Sequence, residues 1–112
     1  RITSVTFPSS LKSIGDSAFK NCRSLESVTL ASEVAIGSEA FFGCSALETV
    51  SGGSVSAIGD TAFYGSLDLR TFSSTLTDGV TIGSRAFGHT GITAETLSVP
   101  SSADIADDAF SG

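Results

Sequence analysis

The hexapeptide Ile14-Gly15-Asp16-Ser17-Ala18-Phe19 decides the fold, because it returns four more times along the chain. The later copies are Ile36-Gly37-Ser38-Glu39-Ala40-Phe41, Ile58-Gly59-Asp60-Thr61-Ala62-Phe63, Ile82-Gly83-Ser84-Arg85-Ala86-Phe87 and Ile105-Ala106-Asp107-Asp108-Ala109-Phe110. Successive Ile positions differ by 22, 22, 24 and 23 residues. A fixed period of this length indicates an array of stacked structural repeats.

Each hexapeptide predicts a short helical turn. Its third residue is always Asp or Ser, whose side chain accepts hydrogen bonds from the free amides of a helix's first turn. Ile14, Ala18 and Cys22 follow one another at helical spacing, which gives the turn one apolar stripe. The turn is expected to end two residues after each Phe of the first four copies, at residues that tolerate left-handed dihedrals: Asn21, Gly43, Gly65 and His89.

Between the hexapeptides, the pattern Leu25-x-x-Val28-x-Leu30 predicts a short, half-buried strand, because apolar and polar residues alternate. The pattern recurs as Ile2-x-x-Val5-x-Phe7, Leu47-x-x-Val50, Leu69-x-x-Phe72 and, with altered spacing, Leu97-x-Val99. One repeat is therefore a strand, a bend, a helical turn and a return. Stacked repeats would pair their strands in a parallel sheet and bury columns of like residues.

The run Phe7-Pro8-Ser9-Ser10-Leu11-Lys12-Ser13-Ile14-Gly15-Asp16-Ser17-Ala18-Phe19-Lys20-Asn21-Cys22-Arg23-Ser24-Leu25 closely resembles the BspA-like class of leucine-rich repeats. The resemblance covers essentially all 112 residues. It implies an α/β solenoid, a right-handed leucine-rich-repeat stack with a parallel β-sheet on the concave face and short helical turns on the convex face. It also implies a cell-surface or secreted protein of adhesion or recognition. The alternative location is a subunit of an intracellular or organellar assembly.

We expect one leucine-rich-repeat domain over residues 1–112, with repeats at about 1–22, 23–44, 45–68, 69–91 and 92–112. Insertions of one or two residues around Thr75–Gly79 and Thr93–Leu97 make the later repeats irregular. The chain lacks Met, opens on a strand and stops just after a hexapeptide. Since terminal repeats of a free solenoid need polar caps, we expect a fragment of a longer array whose ends further repeats or another chain cover.

Composition narrows the partners. A formal charge of −6 disfavours nucleic-acid phosphates and anionic lipid headgroups. The apolar runs are far shorter than the roughly 20 residues of a membrane-spanning helix, so direct membrane insertion is not expected. Ser and Thr supply 33 of the 112 residues, which indicates a hydroxyl-rich surface.

The residues on either side of the central apolar residue of each strand are predicted to point outward. All of them carry hydroxyls: Ser4/Thr6, Ser27/Thr29, Thr49/Ser51, Thr71/Ser73 and Thr96/Ser98. With strands about 4.8 Å apart, they would form a flat ladder of two columns. This ladder is one candidate binding surface, for a glycan or a protein. The simpler interpretation is a soluble strand face, and binding of ordered water is a third possibility.

A second candidate surface lies on the predicted convex side. Phe42 and Tyr64 each follow a column Phe by one residue, which turns the side chain about 100° away on a helical turn. Aromatic pairs of this kind are enriched at protein interfaces. Packing beneath a neighbouring turn accounts for the two rings equally well.

The sequence offers no catalytic, cofactor or metal constellation. His89 is the single histidine, and its register explains it as a residue at a turn end. The Cys and His spacing does not match a zinc site, and the Asp residues do not follow a calcium-loop pattern. Cys22 and Cys44 occupy equivalent positions in consecutive repeats, where parallel Cβ directions favour reduced thiols over a disulfide.

The sequence therefore predicts a non-catalytic binding or adhesion module that presents a repeat surface to a protein or glycan partner. The predicted surface comprises Ser27, Thr29, Thr49, Ser51, Thr71, Ser73, Phe42 and Tyr64. The alternative is a structural subunit or rigid spacer within a larger multi-chain assembly. No cofactor is expected for either function.

Overall fold

The computed structural model describes residues 3–93 and 95–111, so the predicted inward position of Ile2 lies outside the described residues. These ranges contain seven strands: β1 (Ser4–Thr6), β2 (Ser13–Ile14), β3 (Ser27–Ile36), β4 (Thr49–Ile58), β5 (Thr71–Phe72), β6 (Thr75–Ile82) and β7 (Asp104–Ile105). Their pairings are all parallel. The chain forms a parallel-sheet solenoid of about five turns, as its repeat predicts.

Each turn contributes two strand segments, which form two ladders along the stack. The first ladder joins β1, the first halves of β3 and β4, and β5, with Val5, Val28, Val50 and Phe72 in register. The second joins β2, the last residues of β3, β4 and β6, and β7, with Ile14, Ile36, Ile58, Ile82 and Ile105 in register. The sequence pattern predicts only the first ladder, because it places the Ile that opens each hexapeptide in a helical turn.

Like residues of successive turns stack in columns between the sheet and the back of the solenoid. The rings of Phe19, Phe41, Phe63, Phe87 and Phe110 stack with centroids 5.3, 5.2, 5.3 and 5.6 Å apart. Phe72 meets two of these rings edge-on, from the sheet side. The Leu that opens the strand pattern is also buried in the second to fifth repeats, as Leu25, Leu47, Leu69 and Leu97. The apolar columns predicted from the repeat are therefore the core.

The back of each turn is not helical, which corrects the prediction of helical turns on the convex face. No helix occurs within residues 3–93 and 95–111. The predicted stop residues Asn21, Gly43, Gly65 and His89 do have positive φ, at 62°, 71°, 80° and 52°. Four residues inside the hexapeptides also have positive φ: Ser17, Glu39, Thr61 and Arg85. A left-handed residue at every fourth position prevents the continuous i→i−4 bonding of an α-helix.

We call the segment of each turn from the fourth hexapeptide residue to the position of Cys22 the back wall. Its amides donate alternately to carbonyls of the same turn and to carbonyls of the next turn. In the first turn, three amides donate to carbonyls three residues earlier, at 3.1–3.2 Å: those of Ala18, Lys20 and Cys22. The amides between them donate at 2.7–2.9 Å to carbonyls of the second turn: those of Ser17, Phe19 and Asn21. The same alternation continues along the later turns. Because the inter-turn bonds form a ladder of their own, the back wall holds the repeats together much as the sheet does.

The third residue of the hexapeptide links adjacent turns and does not cap a helix. Asp16 Oδ1 accepts a hydrogen bond from the Ser38 amide at 2.9 Å. Asp60 Oδ1 accepts one from the Ser84 amide, also at 2.9 Å. The predicted capping role is wrong because the back wall has no helical first turn, and the amide within reach belongs to the next repeat.

The later repeats depart from regularity where the insertions predicted it. In β6, four residues lie between Leu76 and Thr81, while one residue of β4 lies between their partners Val55 and Ala57. In the fifth turn, the predicted strand at Leu97-x-Val99 is absent. Ala94, within the second insertion, lies outside the described residues. The chain rejoins the sheet only at β7.

Candidate functional site

The predicted hydroxyl ladder is present on the first four turns. Ser4, Ser27, Thr49 and Thr71 share one register, and Thr6, Thr29 and Ser51 share the next. Ser73 continues the second row, since its amide donates to the carbonyl of Val50 at 2.9 Å. The inward residues between the two rows, such as Val28 and Val50, are 1% exposed. Alternation along each strand therefore turns the hydroxyl residues away from the core.

The hydroxyls of this ladder have no protein hydrogen-bond partner in the part of the chain that the structure describes. Within the described residues, none of the eight side chains forms a hydrogen bond to another protein group. The four in the middle of the face are half-buried, because neighbouring strands flank them on both sides: Ser27, Thr29, Thr49 and Ser51. The four at its margins are exposed: Ser4, Thr6, Thr71 and Ser73. The face is therefore a regular array of donors and acceptors in two rows.

Thr96 and Ser98 do not extend the ladder, which corrects their predicted place in it. The Thr96 amide donates to the carbonyl of Thr93 at 3.1 Å, and its hydroxyl donates to the same carbonyl at 3.0 Å. The two Thr side chains thereby close a local turn. Ser98 lies in the segment that follows this turn and belongs to no described strand. The spacing of Leu97 and Val99 imitates a strand, but the inserted residues take the chain out of the ladder.

Phe42 and Tyr64 lie side by side on the back wall. Their rings stack with centroids 5.6 Å apart and planes inclined by 17°. Lys20 places its ammonium 5.1 Å from the Phe42 ring centroid, and His89 meets the Tyr64 ring edge-on at 5.0 Å. Both aromatic residues are half-buried, so the exposed pair and the packed pair foreseen from the sequence are each right in part. We call this row of four side chains the aromatic strip.

The repeat position that Cys44 occupies holds a buried hydrogen-bond donor in two consecutive turns. Cys44 Sγ lies 3.1 Å from the carbonyl oxygen of Phe19, and Ser66 Oγ donates to the carbonyl of Phe41 at 2.9 Å. Burial raises the pKa of the Cys44 thiol to about 11, with the neighbouring Cys22 as a smaller influence. Cys22 and Cys44 are both free thiols, as predicted from their parallel placement. The Cys44 thiol is therefore a structural group, since its thiolate is disfavoured at neutral pH.

No grouping of reactive side chains emerges in the described ranges. Residues 3–93 and 95–111 contain no cluster of three or more His, Cys, Asp or Glu placed to hold a metal ion. They also contain no helix that is long and apolar enough to cross a membrane. His89 lies at a positive φ of 52° with its ring against Tyr64, so backbone and packing together account for it.

A groove beside the ladder was not predicted from the sequence. It has a volume of about 700 Å³ and lies between residues 70–76 and the segment 96–100. One wall includes Ser74, which stands where Leu30 stands in the second turn and is only 6% exposed. The substitution at this position is visible in the sequence, but the groove depends on the path of the fifth turn, which the pattern does not predict.

The repeat, the parallel ladders and the stacked Phe column agree with a comparison against known families. The family model described as the BspA type leucine rich repeat region, in six copies, matches residues 1–112. No curated protein and no solved structure matches the chain significantly. Because the family match spans the whole chain, this protein belongs to the BspA-type leucine-rich repeat family.

Proposed function

We propose that this chain is a non-catalytic binding module whose hydroxyl ladder contacts a protein or glycan partner at the cell surface or outside the cell. Its family supports a role in protein interaction, since leucine-rich repeats are generally scaffolds without enzymatic activity. The observation that carries the proposal is the set of eight aligned hydroxyls with no partner among the described residues. Their spacing offers repeated hydrogen bonds to an extended ligand.

The ladder suits a polar ligand more than an apolar one. Hydroxyl groups both donate and accept, so two rows of them match the hydroxyls of a glycan or the polar groups of a protein surface. Two carboxylates, Glu26 and Glu48, directly precede the strands of the second and third turns, and Arg70 takes the same place in the fourth. This change of sign along the margin would orient a charged partner on the face.

The proposal is tested by replacing residues at the centre of the hydroxyl ladder. The double variant Thr29→Lys and Thr49→Lys places two long cations on the middle of the face, and we expect it to lose binding in a glycan array and in a panel of immobilised extracellular proteins. The matched control is Ser13→Lys and Thr81→Lys, which makes the same chemical change on exposed residues of the second ladder. A ligand that both double variants bind as well as the native chain would contradict the proposal for the sheet face.

The runner-up surface and function have their own discriminating results. If binding survives changes in the ladder but is abolished in Phe42→Ala and Tyr64→Ala, the aromatic strip is the binding surface. The alternative function is a rigid spacer within a larger assembly, which the continuous Phe column and the hydrogen-bonded back wall support. A spacer would tolerate changes on both faces and show no ligand in either screen.

A further inference from the structure

The groove beside the ladder marks the place where the first ladder stops. The strands β1, β3, β4 and β5 pair in that order, so each strand before β5 has a neighbour on its fifth-turn side. After the Gly91 amide donates to the carbonyl of Leu69 at 2.7 Å, the fifth turn leaves the sheet. It pairs again only where Thr81 meets Asp104. Between these points, the edge of β5 borders the groove, and no strand among the described residues pairs with it.

The backbone of this edge is ready to accept a strand. The amides of Thr71 and Ser73 donate to β4, to the carbonyls of Glu48 and Val50 at 3.2 and 2.9 Å. Because alternate residues of a parallel strand bond to opposite neighbours, Phe72 directs its amide and carbonyl toward the groove. No described residue bonds to either group. An unpaired strand edge of this kind is a template for pairing with another chain.

A buried hydroxyl gives an independent sign that the groove takes a ligand. Ser74 is 6% exposed, and its Oγ has no hydrogen-bond partner among the described residues. Burying a hydroxyl without a partner is unfavourable, and native proteins contain few such groups. Ser74 lines the groove, two residues beyond the free backbone groups of Phe72. A peptide that passes along the edge would bring backbone donors and acceptors to this hydroxyl.

The lining also indicates the chemistry of the occupant. Apolar side chains, such as Leu76 and Val99, alternate around the groove with hydroxyl residues, such as Thr75 and Ser98. Arg70, at one end, is the single charged residue of the lining, and it forms no ion pair within the described part of the chain. An extended segment of small and β-branched residues with one acidic end residue would complement both features.

We propose that this groove binds an extended peptide segment of a partner protein, which pairs with the free edge of β5 and places an acidic residue against Arg70. This site is separate from the hydroxyl ladder, although Thr71 and Ser73 border both, and it does not depend on the ladder being a binding face. Main-chain hydrogen bonds to the edge supply affinity, and the alternating lining supplies selectivity.

The test begins with selection and not with one chosen peptide. A displayed library of random hexapeptides is panned against the native chain, with the Ser74→Leu variant as counter-selection. Leu stands naturally at the equivalent position 30, so this variant removes the hydroxyl and fills the space while keeping a residue the fold accepts. We expect enrichment of peptides that combine alternating β-branched residues with an acidic end residue. Circular dichroism melting of each variant confirms that the fold is retained.

Synthetic copies of the enriched peptides then distinguish strand pairing from non-specific binding. N-methylation of the one peptide amide that faces Phe72 removes the hydrogen bond that it donates to the Phe72 carbonyl, which should weaken binding about fivefold by fluorescence anisotropy. Arg70→Glu should weaken binding about three- to fivefold, and a peptide with Lys in place of its acidic residue should restore the affinity for this variant. Arg23→Glu, the same charge change at another exposed position, and the double variant Thr29→Lys with Thr49→Lys should leave the affinity unchanged.

Several results would overturn the proposal. These are a selection that enriches nothing, peptides that bind Ser74→Leu as tightly as the native chain, and N-methylated peptides that bind as well as the parents. A glycan-array signal that disappears in Ser74→Leu, without peptide enrichment, would assign the groove to a sugar. Because the hydroxyl-ladder variants are measured in the same assay, failure here is distinct from failure of the proposed sheet-face function.

Discussion

Replacing Phe63 with Ala tests whether the stacked ring column carries the stability of the solenoid. Phe63 is 0% exposed, lies 5.2 Å from Phe41 and 5.3 Å from Phe87, and meets Phe72 edge-on at 5.8 Å. Truncation of a buried Phe costs about 3–5 kcal/mol. Each aromatic pair contributes about 0.5–1.5 kcal/mol beyond the buried area. Because Ala removes the ring from all of these pairs, we expect the free energy of unfolding to fall by about 5 kcal/mol, a large part of the roughly 5–15 kcal/mol that stabilises a domain.

Urea unfolding followed by far-ultraviolet circular dichroism measures this decrease, since the chain has no Trp to report by fluorescence. The control is Phe110→Ala. Phe110 is half-buried and stacks on one described ring, that of Phe87, at 5.6 Å, so its truncation should cost less than half as much. Equal destabilisation of the two variants, or a cost below about 2 kcal/mol for Phe63→Ala, would refute the idea that the enclosed part of the column dominates the core.

Three further predictions concern single positions. Because burial raises the pKa of Cys44 from 9.0 to about 11, the unfolded chain ionises first, and stability should fall by about 2 kcal/mol as the pH rises from 9 to 11. Cys44→Ser should lack this part of the pH dependence in urea titrations, and an identical profile would contradict it. Gly59→Ala places a Cβ 2.5 Å from the Ser38 amide nitrogen and should cost about 1–3 kcal/mol, whereas the Cβ of Gly15→Ala meets nothing within 4 Å. Indistinguishable melting temperatures for these two variants would count against close backbone packing. Ser66→Ala should cost about 1–2 kcal/mol by removing a buried donor, while Ser66→Cys should keep most of the stability. A Ser66→Cys variant as unstable as Ser66→Ala would argue against the idea that Cys44 and Ser66 act as equivalent buried donors.

The sequence predicts the solenoid and its core because both follow from residues that recur. The Phe column, the Leu column and the outward Ser and Thr rows each depend on one position per repeat. The second ladder escapes prediction because Ile14 and its equivalents precede a Gly or Ala and then an Asp or Ser, which is also typical of a helix start. Nothing in the residue types of Ser17, Glu39, Thr61 and Arg85 signals a left-handed backbone, since the inter-turn hydrogen bonds impose it.

Of the two candidate binding sites, one could be predicted from the repeat and the other could not. The hydroxyl ladder follows from strand alternation and is predicted by residue number, except at Thr96 and Ser98. The groove could not be predicted, because it depends on how the inserted residues near Thr93 take the chain out of the sheet. Ser74 is visible as an exception to the Leu30 pattern, but its burial and its unpaired hydroxyl emerge only in three dimensions.

The hydrogen bonds between turns of the back wall run in one direction, which gives the stack a net electric dipole. From the fourth residue of each hexapeptide onward, the backbone bonds between turns there run from an amide to a carbonyl of the following turn, so these peptide dipoles add as they do along a helix. The dipole thus has its negative, carbonyl end toward the first turn and its positive, amide end toward the fifth. Side-chain charges complement this dipole, since Lys12 and Lys20 lie in the first turn, at its negative end, and residues 93–111 contain acidic residues but no Lys or Arg. Two such stacks that meet end to end would therefore attract head to tail and repel head to head.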